Sequence, residues 1–114
     1  MNNRSAEDYL RVYSGLSHPI RLKIVGILWE GRRYVSELAK ILEISRPLLY
    51  MHLKKLEDAE MVKSSYEISE TGKSMKYYEV NDFIILITPP MIAEIAKTIP
   101  LPSEENSTDN STDG

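Results

Sequence analysis

The sequence predicts an α+β, mostly helical fold: a winged helix-turn-helix made of two helices, a helix-turn-helix, a β-hairpin wing and a C-terminal helix. Three observations predict it. Apolar residues recur at helical spacing up to Met61. After Met61 they alternate with polar residues. Two of the predicted helices are separated by a three-residue turn. A chain of 114 residues has room for one such domain, which we place at residues 1–99.

The first two helices are predicted from apolar stripes and from residues that begin helices. Ser5, with Asp8 three residues later, resembles a capping box and opens a helix over about residues 5–16. Ser17 is the candidate N-cap of a second helix over about residues 19–30. That helix has so few polar positions that we expect it to be buried on most sides. The residues that widen its apolar stripe are Leu22, Val25 and Trp29.

Two short helices then form the predicted helix-turn-helix. The first covers residues 36–42, and Ser45 caps the second, which runs from residue 46 to about residue 59. The second helix has one apolar side and one polar side, and His52 lies on the apolar side. The buried stripe consists of Leu49, Leu53 and Leu56. The N-terminal half of the polar side is the part that reaches base edges in helix-turn-helix proteins.

The alternation after Met61 predicts the wing and is followed by one more helix. We expect strands over residues 62–68 and 75–80, with the second continuing to about Ile87, and a turn over residues 70–73. The last helix begins at Pro89 or Pro90 and ends near residues 98–100.

The C-terminal segment differs in composition from the rest of the chain. Residues 100–114 have one apolar residue besides proline and repeat Asn-Ser-Thr-Asp twice, so we expect a disordered acidic tail. The formal charge of the whole chain is -3, but this tail contains four of the 17 acidic residues and none of the 14 basic ones. Residues 1–103 therefore have a formal charge of +1, and the acidic balance does not exclude DNA binding.

The composition excludes several kinds of site. Without cysteine the chain has no disulfide, Cys-ligated zinc, iron–sulfur cluster or thiol nucleophile. We find no nucleophile–base pair and no phosphate-cradling glycine loop, so we expect neither an enzyme nor a cofactor. His18 and His52 are best explained as structural residues, with a metal ligand or pH sensor as the alternative for His52. The polar start and the short apolar runs predict a cytoplasmic chain without a membrane span.

The order and spacing of the motifs resemble the ArsR-type winged-helix transcriptional regulators. The resemblance covers Leu16 to about Val80. Its motifs are Leu16-Ser17-His18-Pro19-Ile20-Arg21-Leu22-Lys23-Ile24, Val35-Ser36-Glu37-Leu38-Ala39-Lys40-Ile41-Leu42, Ile44-Ser45, His52-Leu53-Lys54-Lys55-Leu56-Glu57, Met61-Val62 and Tyr78-Glu79-Val80. The continuation Asn81-Asp82-Phe83 and the helix start Thr88-Pro89-Pro90 are similar to archaeal ArsR-like regulators. The resemblance implies a homodimeric regulator, a repressor, that binds specific double-stranded DNA.

The sequence departs from that family at two kinds of position. Metal-sensing members have cysteines where Glu37 and Leu38 stand, or Asp and His ligands on the last helix, so the resemblance does not extend to metal sensing. Glu43 and Glu60 stand where such motifs usually have glycine. If the backbone is left-handed at these two residues, each glutamate costs about 1 kcal/mol relative to glycine.

The candidate DNA-binding residues lie on the second helix of the helix-turn-helix and on the wing. Arg46 can pair with guanine O6 and N7, Tyr50 can bond a base or a phosphate, and Met51 can pack on a thymine methyl group. The alternatives are that Arg46 and Tyr50 contact only phosphates or solvent, and that the wing is a solvated turn. The full set is Ser45, Arg46, Pro47, Tyr50, Met51, Lys54, Lys55, Lys73 and Lys76, with Ser69, Thr71 and Ser74 as further phosphate donors on the wing.

The first and last helices have apolar residues beyond those that a single domain needs. One winged helix reads few base pairs, so we expect these helices to form a homodimer on two half-sites. The predicted interface residues are Tyr9, Leu10, Tyr13, Ile92, Ile95 and Ile99. The alternative is that these residues close the core of a monomer.

The alternative function for the whole chain is a winged-helix protein-interaction module of a transcription or assembly factor, without specific DNA readout.

Overall fold

The computed structural model describes residues 4–102, and those residues form five helices and three strands. In chain order they are α1 (Ala6–Leu16), α2 (Pro19–Trp29), β1 (Arg33–Tyr34), α3 (Val35–Leu42), α4 (Arg46–Asp58), β2 (Val62–Ile68), β3 (Ser74–Val80) and α5 (Pro89–Lys97). This is the predicted winged helix-turn-helix order with one added strand, β1. Most of the predicted acidic tail, residues 103–114, lies outside the described residues.

The sheet is antiparallel, with the strand order β1-β3-β2. Strands β2 and β3 pair over their whole length, from Val62 opposite Val80 to Ile68 opposite Ser74. The two-residue strand β1 pairs with β3 and is too short to show a periodicity, so the sequence did not predict it. The predicted continuation of β3 to Ile87 is wrong. The partner strand begins at Val62, and no described strand lies beyond it to pair with residues 81–87.

The core lies between the four helices α1, α2, α3 and α4 on one side and the inner face of the sheet on the other. Its most deeply buried apolar side chains are Ile24, Leu38, Leu49, Leu53, Leu56, Met61 and Tyr78. The expectation that α2 is buried on most sides is wrong. Leu22 is 55% exposed and Trp29 is 74% exposed. Helices α1 and α4 and strand β3 pack against α2 from one side, and no described element covers the other.

The helix starts follow from side-chain caps, with one correction. Ser5 and Asp8 form the predicted capping box of α1, with bonds of 3.2 and 3.0 Å. Ser45 caps α4 as predicted, through a bond of 3.3 Å to the N–H three residues later. Ser17, however, does not cap α2. Its backbone ends α1, and the N-cap is His18, whose Nδ1 accepts the N–H two residues later at 3.1 Å.

Two glutamates adopt the left-handed backbone that the sequence analysis considered. Glu43 ends α3 with φ of 56°, and Glu60 follows α4 with φ of 61°. Both turns therefore keep the shape that glycine favours, although each residue has a Cβ. The first of these turns sets the angle between the two helices of the helix-turn-helix.

Candidate nucleic-acid interface

The predicted recognition residues lie together on the exposed side of α4. Arg46, Pro47, Tyr50, Met51 and Lys54 are all exposed on it. The opposite side of the helix is held in the core by three leucines and by His52, which is 1% exposed. The Ser45 cap and a proline in the first turn fix the start of the helix. The recognition side chains thus project from a helix that is anchored along its whole length.

The two lysines toward the end of α4 have different surroundings. Lys54 donates to Asp58 one turn later at 3.1 Å, so its charge has an intrahelical partner. Lys55 lies beside α1, in a cleft of about 270 Å³ that it shares with Glu7 and Arg11. Of the predicted DNA-binding lysines, Lys55 is therefore separated from the side that carries Arg46 and Tyr50.

A cleft separates α3 and α4 from the β2–β3 hairpin, which is the wing. This wing cleft has a volume of about 320 Å³. It brings together Arg46 and Tyr50 from α4 with Lys73 and Lys76 from the wing, as the sequence analysis expected of one DNA-binding surface. It also contains residues that the sequence analysis missed, because their proximity depends on tertiary packing. These are Tyr34, Val35, Ser36, Tyr66 and Met75.

Lys76 connects the wing to the recognition helix. Its Nζ lies 5.6 Å from the ring centroid of Tyr50 on α4. It also lies 5.8 Å from the ring of Tyr66 and 5.3 Å from that of Tyr78 on the sheet. The Tyr78 hydroxyl raises the pKa of Lys76, and burial raises the pKa of Tyr78. The ammonium thus stays charged at neutral pH and is attracted to three aromatic faces.

A second group of side chains fixes the wing to the start of α3. Arg32 Nη2 donates to both carboxylate oxygens of Glu67 on β2, at 3.0 and 3.1 Å, and the Tyr34 hydroxyl donates to the same carboxylate. The Arg32 guanidinium lies 4.0 Å from the ring centroid of Tyr77. Hydrogen bonds from Tyr34 and then from Arg32 lower the pKa of Glu67. This cluster, which the sequence analysis missed, restrains the wing near its tip.

The tip of the wing is stabilised by its own hydrogen bonds. Ser69 and Thr71 share a hydroxyl–hydroxyl bond of 3.0 Å, and the Lys73 N–H donates to Ser69 Oγ at 3.1 Å. Gly72 supplies the positive φ of 86° that the turn needs. The Ser69 and Thr71 hydroxyls therefore already have partners within the turn, while the Lys73 side chain is exposed.

Behind the recognition helix, Arg21 and His52 form a buried polar contact. Arg21 Nη1 lies 2.9 Å from His52 Nδ1, and its other nitrogens donate to the carbonyls of Ser14 and Gly15 at 3.0 Å. Because the guanidinium can only donate, His52 accepts through an unprotonated Nδ1. Burial first, then the neighbouring His18 and Arg21, lower the pKa of His52. These contacts support the structural role that the sequence favoured for His52, whose side chain is fully buried.

Four of the six predicted dimer residues line the surface between α1 and α5, and Ile92 on α5 is exposed. A cleft of about 750 Å³ lies there, lined by Tyr9, Leu10, Ile95 and Ile99 among others. No residue of α5 is buried. Tyr13 instead packs against the core of its own chain, which is what the alternative of a closed monomer core predicts for it.

Within residues 4–102, no helix is long and apolar enough to cross a membrane, and no group of acidic and histidine side chains could hold a metal ion.

Comparison with known families finds one matching family model and a similar archaeal protein. The model is that of the bacterial regulatory proteins of the arsR family, and it matches residues 18–64. The archaeal protein is an uncharacterised HTH-type transcriptional regulator of Methanocaldococcus jannaschii. It is 39% identical over 88 residues, which are 77% of this chain and 92% of that protein.

Solved structures with the same fold come from several bacteria. The transcriptional repressor BigR of Xylella fastidiosa superposes with a TM-score of 0.56 at 28% identity, covering 68% of this chain and 74% of that one. A homodimeric winged helix-turn-helix DNA-binding domain of Mycobacterium bovis, described as a possible ArsR-family regulator, gives 0.59 at 20% identity, covering 85% and 82%. HlyU of Vibrio cholerae gives 0.57 at 20% identity, covering 84% and 92%.

Proposed function

Because the chain belongs to the ArsR family of transcriptional regulators, we propose that it binds specific double-stranded DNA as a homodimer and represses transcription by occluding promoter DNA. The observation that supports this most directly is the wing cleft, where exposed cations of α4 and of the wing face the same space. DNA binding of this kind needs no catalytic group, cofactor or metal. We place the protein in the cytoplasm, where it has access to promoter DNA.

We assign the reading of bases to the exposed N-terminal half of α4. A helix fits the major groove of B-form DNA, where each base pair presents a distinct pattern of donors and acceptors. Arg46 is placed to pair with guanine, Tyr50 to bond a base or phosphate, and Pro47 and Met51 to pack on thymine methyl groups. Ser45, at the N-cap, accepts the N–H of Leu48, and its own hydroxyl is free to donate to a phosphate.

We assign phosphate binding to the wing cleft. With α4 in the major groove and the wing along the adjacent minor groove, the sugar–phosphate strand between the two grooves runs along this cleft. Arg46 and Lys73 supply exposed charges there, and Ser36 and Ser74 supply hydroxyl donors. Lys76 supplies a charge whose position the surrounding tyrosines restrict. Lys54 and Lys55 are the more peripheral cations of the set.

Dimer formation and repression are supported by the structural relatives. The Mycobacterium bovis domain is homodimeric and BigR is a repressor. In this chain α5 buries no residue, which favours a second copy as its packing partner. We assign the interface to Tyr9, Leu10, Ile92, Ile95 and Ile99, and leave Tyr13 to the core of its own chain.

The salt dependence of binding to duplex DNA tests this function against the protein-interaction alternative. A DNA-binding regulator releases counterions, so the logarithm of its binding constant falls linearly with the logarithm of salt concentration, by about 0.9 per phosphate neutralised. Duplexes selected from genomic fragments supply the specific probe, and a scrambled duplex of equal length is the control. Binding that is weak at low salt on every duplex, or that does not change with salt, contradicts the proposal.

A further inference from the structure

The segment that connects β3 to α5 is the most apolar exposed part of the described chain. We call residues 82–87 the linker segment. It contains five consecutive apolar residues, Phe83–Ile87, and Ile84 is 96% exposed while Leu86 is 64% exposed. Contiguous apolar surface of this kind on a soluble protein marks a site of interaction.

The linker segment has unpaired backbone groups as well as exposed apolar side chains. Ile85 packs against the core, whereas Phe83, Ile84, Leu86 and Ile87 are exposed. The backbone of the segment makes no backbone hydrogen bond to any other residue of 4–102. The ladder closes before it, where Asn81 N–H donates to the Met61 carbonyl at 2.8 Å, and α5 begins after it. Both the apolar face and the free backbone groups therefore remain available to another chain.

The linker segment is continuous with the predicted dimer surface. A cleft of about 420 Å³ lies between this segment and α1. It shares Arg4, Tyr9 and Met91 with the larger cleft between α1 and α5. The two clefts thus form one continuous surface that runs from α5 across α1 to the linker segment.

We propose that a second copy of this chain covers the linker segment, so that Ile84 and Leu86 are buried in the homodimer. The inference rests on the proposed homodimer and adds to it a segment outside α1 and α5. A second copy is favoured over another partner because the segment extends the α1–α5 surface, for which a second copy is already proposed. In a twofold dimer the same residue is also buried once in each of the two chains. The segment has no cation to attract an acidic partner or a lipid surface.

Thiol labelling provides the direct test, because the chain has no cysteine of its own. In Ile84→Cys the only thiol lies on the linker segment, and in Ile68→Cys it lies on the wing at a site that is 68% exposed. We expect labelling of the first variant to slow about tenfold when the protein concentration is about 50 times the dimer dissociation constant. Labelling of the second should not depend on protein concentration. A dimer whose linker thiol still reacts at the monomer rate overturns the inference and leaves the proposed function intact.

A charge substitution gives a second, independent readout. Ile84→Lys places an ammonium on a side chain that is exposed in the single chain, so circular dichroism should show an unchanged fold. We expect its dimer dissociation constant in sedimentation to rise about 100-fold, since each dimer loses two buried side chains. Ile68→Lys is the matched control and should sediment like the unmodified chain. Equal dissociation constants for the two variants overturn the inference, and a chain that is monomeric at every concentration overturns the homodimer as well.

Discussion

At the scale of single residues, Arg46 is the side chain that we expect to set base preference. It lies in the first turn of α4, on the exposed side and at the edge of the wing cleft. If it pairs with a guanine, Arg46→Ala reduces discrimination at that base pair by about 1–3 kcal/mol and leaves the other positions unchanged. Competition binding with single-base variants of a selected site measures this.

The control for Arg46 is Arg11→Ala, which removes the same charge from an exposed position on α1. It should leave both affinity and base preference nearly unchanged. A uniform loss of affinity on every duplex for Arg46→Ala would instead show that the arginine contacts only phosphates.

Glu43 offers a residue-scale prediction about stability. Its backbone is left-handed, so Glu43→Gly relieves the strain of the Cβ and should raise the free energy of unfolding by about 0.5–1 kcal/mol. Glu30→Gly is the matched control. Glu30 ends α2 with an ordinary φ of -81°, and glycine there should lower the free energy of unfolding. Urea denaturation measures both, and a change of the same sign in the two variants contradicts the explanation.

Residue-scale features were predictable where their causes are local. The caps at Ser5 and Ser45 follow from a side chain and an N–H three residues away, and both were predicted. Ser17 failed because its neighbour His18 competes for the same helix start with an acceptor of its own. The exposure of Trp29 could not be predicted, because it depends on which elements pack against α2 and not on the α2 sequence.

At the scale of elements, Lys76 is expected to hold the wing in place relative to α4. Lys76→Met keeps much of the volume and removes the charge that lies between Tyr50, Tyr66 and Tyr78. We expect the free energy of unfolding to fall by about 0.5–2 kcal/mol, the range for cation–π contacts. Lys73→Met removes an exposed charge from the same wing and should leave stability unchanged while reducing the salt dependence of DNA binding. Equal stability of the two variants would refute this role for Lys76.

The contact between α2 and α4 predicts a loss of stability in weak acid. His52 has a pKa below its ordinary value of 6.5, so below pH 6.5 the unfolded chain binds a proton that the folded chain does not. The stabilisation is therefore complete above pH 6.5 and is lost progressively as the pH falls below it. Denaturation between pH 5 and pH 7 should show this decline.

His52→Asn is the appropriate comparison for that decline. Asparagine can present an oxygen to Arg21 in place of Nδ1, and it does not titrate. The variant should have a flatter pH dependence than the unmodified chain over the same interval. Superimposable pH profiles would show that another group causes the decline.

Elements were predictable where a periodic pattern extended over several residues. Helices α1 to α5 and the hairpin are each long enough to show a period, and the sequence predicted all of them. Strand β1 is two residues long, and its existence depends on pairing with β3, about 45 residues later. The Arg32–Glu67–Tyr34 cluster depends on the same distant pairing. No local pattern contains that information.

At the scale of the whole molecule, the sequence predicted which residues lie on the exposed side of α4 better than it predicted the cleft beside them. The side of α4 follows from helical periodicity, so Arg46, Tyr50 and Met51 could be identified. The wing cleft exists only once α3, α4 and the hairpin are assembled, and its remaining residues could not be identified beforehand. The near-neutral charge of residues 1–103 limits the number of phosphate contacts, so affinity should depend on the few cations around this cleft.

The spacing of half-sites is the prediction that belongs to the assembled dimer. Two recognition helices related by a twofold axis reach successive major grooves on one face of the duplex, about 34–36 Å or 10–10.5 base pairs apart. Footprinting should therefore show two inverted half-sites at that separation or a multiple of it. Five base pairs inserted between them turn one half-site to the opposite face of the duplex and should reduce affinity to that of a single half-site. An insertion of ten should weaken binding as much, because the half-sites return to the same face but then lie about 34 Å farther apart than the two recognition helices. Equal affinity for all three duplexes would mean that each copy binds independently, and the homodimer would then have no role in recognising the site.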